Sequence, residues 1–382
     1  MEGLQRAREL VESYAAAVAA ELPHGVELFD AHVHLGHDID GMVGEPDELL
    51  AIQRRFGIAG SFMFCLDERD RHPGFRAAND RTLEHARRSD GALIPFVRLD
   101  LAESPLEEAV RCLDGGARGI KLHPRAQGFL FDDVRLAPVF ELARDRGVPV
   151  LVHGGRGLPP IADALSALVE RYAGVTLIVA HAGIADMAAL AGHFGGVAGV
   201  FFDSSVWSPL DLLDLYRQVS PEQVVYASDY PYGRQPGSLL LALRTAKLAG
   251  LGDAQLRAVL GESARRIAAG EPPLPLSGTV GGDTLTLPLT FARIHQYLSM
   301  ATPLLWLRQP DAWGALGLAL NATHERNGHR DETEQIRELL ERGRELWKAL
   351  PELEDERERI SAARTAIRLV QLADILAVTT PA

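Results

Sequence analysis

Between about residues 27 and 252 the chain alternates, eight times over, between a short β-branched or aromatic run and a longer stretch of helical period. Few folds accommodate that pattern. The strand-like runs are ELFDAHVHL (27–35), GSFMFCL (60–66), ALIPFVRL (92–99), GIKLH (119–123), VPVLVH (148–153), VTLIVAH (175–181), GVFFDSS (199–205) and QVVYASD (223–229). Amphipathic segments such as 47–56, 81–88, 104–113, 136–147, 161–172, 210–219 and 238–249 separate or follow them. Ser104-Pro105 reads as an N-cap with proline at the first helical position, and Arg146-Gly147 as a helix end. Eight β-then-α units predict a (β/α)₈ TIM barrel, an α/β fold. An open doubly wound sheet would place a glycine-rich phosphate turn after its first strand. Here that strand runs into His-Val-His-Leu-Gly instead.

The rest of the chain divides around this repeat. Residues 1–26 are expected to form an N-terminal helix, 27–270 the barrel with 253–270 as one further helix, and 271–283 a Pro- and Gly-rich linker. Residues 284–382 read as an all-α C-terminal extension. In it, Ile336, Leu339, Leu340, Trp347 and Leu350 mark one apolar stripe, and Ile360, Ile367, Val370 and Ile375 another. Pro351 separates them, which predicts a helical hairpin. Those stripes suit packing on the barrel or a homo-oligomer, most simply a homodimer.

A net charge of −13, from 39 basic and 52 acidic residues, argues against a nucleic-acid partner. Two cysteines, Cys65 and Cys112, cannot build a disulfide framework and fit a reducing compartment. No stretch reaches the roughly 18–20 apolar residues of a membrane span, and the first residues do not resemble a targeting signal. A cytoplasmic protein with a small-molecule substrate is the expectation.

Five of the thirteen histidines fall at strand ends: His32 and His34 on the first, His123 on the fourth, His153 on the fifth and His181 on the sixth. Asp229 ends the eighth. In a barrel these ends form the functional rim. Residues i and i+2 of a strand face the same side, so His32 and His34 would project together into the mouth, where His153 and Asp229 can reach the same volume. Three imidazoles and a carboxylate suit a divalent ion, zinc before manganese. Lys121 and His123 share a face of the fourth strand and are candidates for substrate contact. Arg156, on the loop beyond His153, could hold a substrate carboxylate bidentately. The stretch His37 to Asp40 is a candidate lid.

In combination and order, FDAHVHLG (29–36), GIKLHPR (119–125), LVHGG (151–155), VAHAG (179–183), ASDYPYG (227–233) and LGESARRI (260–267) resemble the amidohydrolase superfamily. The nearest branch is the amidohydrolase-related family that includes aminocarboxymuconate-semialdehyde decarboxylase. The resemblance implies His32, His34, His153 and Asp229 as metal ligands, with Asp229 and His181 as the catalytic pair. Asp229 would move the proton of a metal-activated water, and His181 would polarise the substrate oxygen or orient the water. A second metal bridged by a carboxylated Lys121 is the less favoured arrangement. Hydrolysis of a small amide, lactone or ester is the first expectation. Non-oxidative decarboxylation of a small carboxylic acid, aromatic acids included, on the same metal is the alternative. An inactive barrel scaffold with an interaction tail is the alternative of another class.

Overall fold

The computed structural model describes residues 2–380 apart from 39–40, 67–70, 283–284, 308, 310 and 326–327. All eight expected strands form: β1 Leu28–His37, β2 Ile58–Cys65, β3 Leu93–Arg98, β4 Gly119–Leu122, β5 Val150–Val152, β6 Leu177–Val179, β7 Val200–Asp203 and β8 Val224–Val225. They pair in parallel in that order. The chain after β8 closes the ring on β1, through Ala31 N to Tyr226 O (2.8 Å), Asp229 N to His32 O (2.9 Å) and His34 N to Tyr230 O (2.7 Å). A two-residue strand, Val43–Gly44, pairs antiparallel with the end of β1 and was not anticipated.

Helices cover the outside of the ring. Met187–Phe194, between β6 and β7, went unread because its Ala- and Gly-rich sequence carries little amphipathic contrast. Gly147 ends its helix in the left-handed conformation, as expected. Ser104 departs from expectation. It precedes Pro105–Asp114 but lies at φ 50°, ψ 54°, and its side chain makes no capping bond. A capping residue needs extended backbone to aim its oxygen at the first turn.

Aromatic side chains fill the barrel interior: Phe29, Phe62, Phe64, Phe96 and Phe201 pack with Leu151, Ile178 and Val225. Ala264 and Ile267, from the helix Ser263–Ala269, join the same cluster. This is the expected helix 253–270, which runs through a π-helical turn at Ala258–Glu262. There a Cβ on Gly261 would lie 2.0 Å from the Glu27 carbonyl oxygen, so only glycine lets this turn rest on the start of β1.

Residues 271–282 have no regular structure, yet they are pinned to the barrel. Ser277 N and Oγ both reach Glu222 (3.0 Å each), Gly278 N donates to Ser220 Oγ, and Val280 N to Tyr216 O. Among the described residues four α-helices follow: Leu289–Trp306, Ala312–Ala322, Arg330–Ala349 and Glu356–Thr379. The last two pack along each other as the anticipated hairpin. Glu356–Thr379 also packs on the N-terminal helix Glu2–Glu21, on Gly237–Leu248 and on Pro209–Tyr216. Ile336, Leu339, Leu340, Val370 and Ile375 are buried within the chain. Among the described residues, no helix is long and apolar enough to cross a membrane. Cys65 and Cys112 are both buried.

Candidate metal centre and active site

The site begins with a break in strand periodicity. Phe29 and Ala31 point into the barrel core, so strict alternation would turn His32 and His34 outward. Between the pairs Asp30↔Ser61 and Val33↔Met63, however, β1 carries one residue more than β2. This β-bulge re-aims the strand: Val33 and Leu35 pack outward under Leu49 and Ile52, and the two histidines face the mouth. Buried Asp30 ties the bulge down, accepting from His32 N (3.2 Å) and from Ser228 N (2.9 Å). Burial pushes its carboxyl up to about 6.

At the mouth, His32 Nε2 and His34 Nε2 lie 3.0 Å apart, and Asp229 Oδ1 is 3.3 Å from the first and 3.2 Å from the second. A tetrahedral ion with bonds of about 2.0–2.1 Å separates its ligand atoms by about 3.3 Å, so these three donors fit one divalent cation. Asp229 reaches this point from left-handed backbone, φ 57°, a region that Asp and Asn tolerate better than most residues. Its carboxyl is pushed well up by burial and by the charge of Asp203.

Two further histidines are tied together beside the trio. His181 Nδ1 lies 2.9 Å from the Ser205 carbonyl oxygen, which can only accept, so Nδ1 carries the proton and Nε2 a lone pair. His153 Nδ1, 3.1 Å from that Nε2, then donates to it. The His153 Nε2 lone pair is thereby left bare, and among the described residues this buried atom has no hydrogen-bond partner. A bare buried imidazole nitrogen is a donor suited to a cation. His153 nevertheless stands outside the close trio of His32, His34 and Asp229. The glycine after His153-Gly154 has a steric purpose: a Cβ on Gly155 would sit 2.8 Å from the His153 ring and 2.9 Å from that of His181.

His123 stacks on His153 with ring centroids 3.9 Å apart, and its Nδ1 accepts from Ala126 N. Lys121 is buried, with Nζ 3.4 Å from His32 Nε2 and 4.5 Å above the Phe64 ring. Burial brings its ammonium down to about 7. Desolvation likewise lowers His32 to about 3, and His34, His123, His153 and His181 below their ordinary value, with neighbouring cations adding to the effect. Arg156 is exposed on its loop, where its charge acts on Asp211. In the candidate lid, the Tyr232 hydroxyl donates to the Asp38 carboxylate, while Ile39 and Asp40 lie outside the described residues.

One residue that the sequence reading passed over organises the whole site. Asp203, at the end of β7, is completely buried. Its Oδ2 accepts from His32 Nδ1 (2.6 Å), and its Oδ1 from His181 N (2.8 Å), Ser205 N (3.0 Å) and Ser205 Oγ (2.5 Å). Burial alone would raise this carboxyl, but His32, His181 and Ser205 hold it well below the usual carboxylate range. A rim carboxylate was visible in GVFFDSS, where Asp203 ends a strand as Asp229 does.

The model of the amidohydrolase family matches residues 29–267. No protein of curated function matches the sequence. Among solved structures, the chain is similar to an uncharacterised TIM-barrel protein from Bordetella bronchiseptica, at 13% identity and TM-score 0.52 over 64% of this chain and 99% of that one. It is similar to 2,6-dihydroxybenzoate decarboxylase from Rhizobium, at 14% identity and TM-score 0.50 over 65% and 99%. A dihydroxybenzoic acid decarboxylase from Polaromonas, with bound manganese, gives 12% identity and TM-score 0.50 over 64% and 97%. At such identities the likeness establishes the fold. The C-terminal helices lie beyond the family match.

Proposed function

The chain belongs to the amidohydrolase family, and from that premise we propose that it is a metal-dependent hydrolase of a small amide, lactone or ester. The observation that carries this reading is the convergence of His32 Nε2, His34 Nε2 and Asp229 Oδ1 within 3.3 Å of one another. Zinc is the first candidate ion and manganese the second, with His153 Nε2 as the further donor. When bound, such an ion lowers the pKa of a water from 15.7 toward about 7 and polarises an acyl oxygen.

The chain's own groups divide the remaining work. Asp203 keeps the His32 proton on Nδ1 and so leaves Nε2 free to ligate. The Asp229 carboxylate takes the proton of the attacking water and returns it to the leaving group. His181, fixed by Ser205, orients the water or the substrate oxygen. Lys121 and His123 border the substrate.

Decarboxylation is the second reading. It is favoured by the Lys121 ammonium 3.4 Å from His32 Nε2, where it can hold a reacting carboxylate against the metal donors. The decarboxylases that share the fold belong to the same reading. The two are separated by incubating zinc- and manganese-reconstituted protein with lactone, amide and aromatic-acid panels. Acid release in a pH-stat is expected; CO₂ release from the aromatic acids with no hydrolysis would replace the first reading by the second.

A further inference from the structure

Arg98 ends β3, and no step above uses it. Its backbone is locked from both sides by Asn79: Arg98 N donates to Oδ1 (3.0 Å) and Asn79 Nδ2 donates to Arg98 O (2.9 Å). Asn79 is held in turn by Glu108. Phe96 lies in the barrel interior, so Arg98, two residues on, faces the same way, and it stands in register with Lys121 on β4.

The side chain is 2% exposed. Its guanidinium lies over the Phe75 ring at 4.5 Å, and Nη1 makes a single long bond, 3.4 Å, to the Cys65 carbonyl. Among the described residues, Nε and Nη2 are buried with no hydrogen-bond partner. Among the described residues no carboxylate pairs with it, and the nearby His34, His123 and Lys121 all feel its positive charge. A guanidinium stays charged at any working pH, and a buried charge left without a counter-ion is strongly unfavourable. Among the described residues nothing offsets this charge. The exposed Arg156 has no such deficit, because water satisfies it.

We propose that Arg98 is the receptor for a substrate carboxylate, two of whose oxygens take the unused Nε and Nη2 donors. Given the hydrolase reading, on which this rests, the anionic group would sit about one strand spacing, ~4.8 Å, from Lys121 and on its far side from β5. The substrate is then a small acid whose carboxylate is separate from the bond that is cleaved. A neutral amide or ester of the same shape would leave the guanidinium unpaired, so the site selects against it.

The test is calorimetric titration of benzoate and of benzamide into wild-type protein, R98M and R98K, each metal-loaded and after chelator treatment. Wild-type protein should prefer benzoate in both metal states. R98M should lose that preference by roughly tenfold to a hundredfold, and R98K, which keeps the charge but not the fork, should fall between. Wild-type protein with no preference for benzoate after chelation, or R98M that keeps it, overturns the inference. If R98M fails to fold, R98K decides, and unchanged benzoate affinity there also overturns it. Failure of the metal reading shows separately, as protein that retains no divalent ion on reconstitution.

Discussion

Asp203 and His32 form a buried pair, with Oδ2 accepting from Nδ1 at 2.6 Å and neither side chain reaching solvent. The bond fixes the tautomer that exposes His32 Nε2 beside His34 and Asp229. In Asp203→Asn the amide nitrogen can face the ring and offer a donor where an acceptor is required. Metal affinity, read by competition with a chelator, should fall about tenfold to a hundredfold. Unchanged affinity would mean that packing alone orients His32.

Asp229→Asn isolates chemistry from folding. Asparagine tolerates the left-handed backbone at φ 57°, so the thermal midpoint should stay close to that of wild-type. Turnover should drop by about 10²–10⁴ if the carboxylate moves the proton. A fully active Asn variant would remove Asp229 from that role.

Acid should destabilise the metal-free protein earlier than it would a barrel without this site. His32, His34, His123, His153 and His181 are all held below the ordinary histidine value of 6.5, first by burial. Between that value and the folded one, the unfolded chain binds the proton and the folded chain does not. Stability therefore rises with pH through this window and is lost as pH falls below about 6.5, by up to about 1.4 kcal/mol per pH unit for each group. Asp30, raised by burial to about 6, and Asp229, raised well above its usual value, act in the opposite sense over part of the same range, where the five imidazoles outnumber them. Urea melts from pH 8 to pH 5 should show midpoints that fall with acid. A flat profile would show that these imidazoles are more hydrated than their burial implies.

Metal titration bears on Lys121. An ammonium packed on Phe64 and facing His32 is consistent with one ion per chain. One equivalent should restore full activity after chelation. Two equivalents at full activity would favour a carboxylated, bridging lysine instead.

Deleting residues 284–382 should cost solubility. Leu369, Val370, Leu372 and Ile375 are buried, and their helix packs on Gly237–Leu248 and on the N-terminal helix. Removal would bare that face and cause aggregation. A soluble, active truncated monomer would show the extension to be dispensable for the barrel. Of its stripes, Ile336, Leu339, Leu340, Ile367, Val370 and Ile375 are buried within the chain, whereas Trp347, Leu350 and Ile360 are half-buried, so an assembly of copies, tested by light scattering, would draw on the latter.

Local pattern was enough to determine much of this protein. Alternation of β-branched runs with amphipathic segments dictated eight strands and most of their helices. The placement of His32, His34, His153, His181 and Asp229 at strand ends put them on one rim. Those features are written in neighbouring residues, and a sequence displays them directly. Tertiary structure decided what depends on partners distant in the chain. The bulge that turns His32 and His34 inward exists only against the register of β2. Asp203 matters because 171 residues of chain fold back to bring it against His32. Arg98 looks like any strand-end arginine until its burial is seen. Ser104 has the composition of a cap and the wrong backbone for one. Spacing along the chain tells which way a side chain can point, but what it meets there is set by packing.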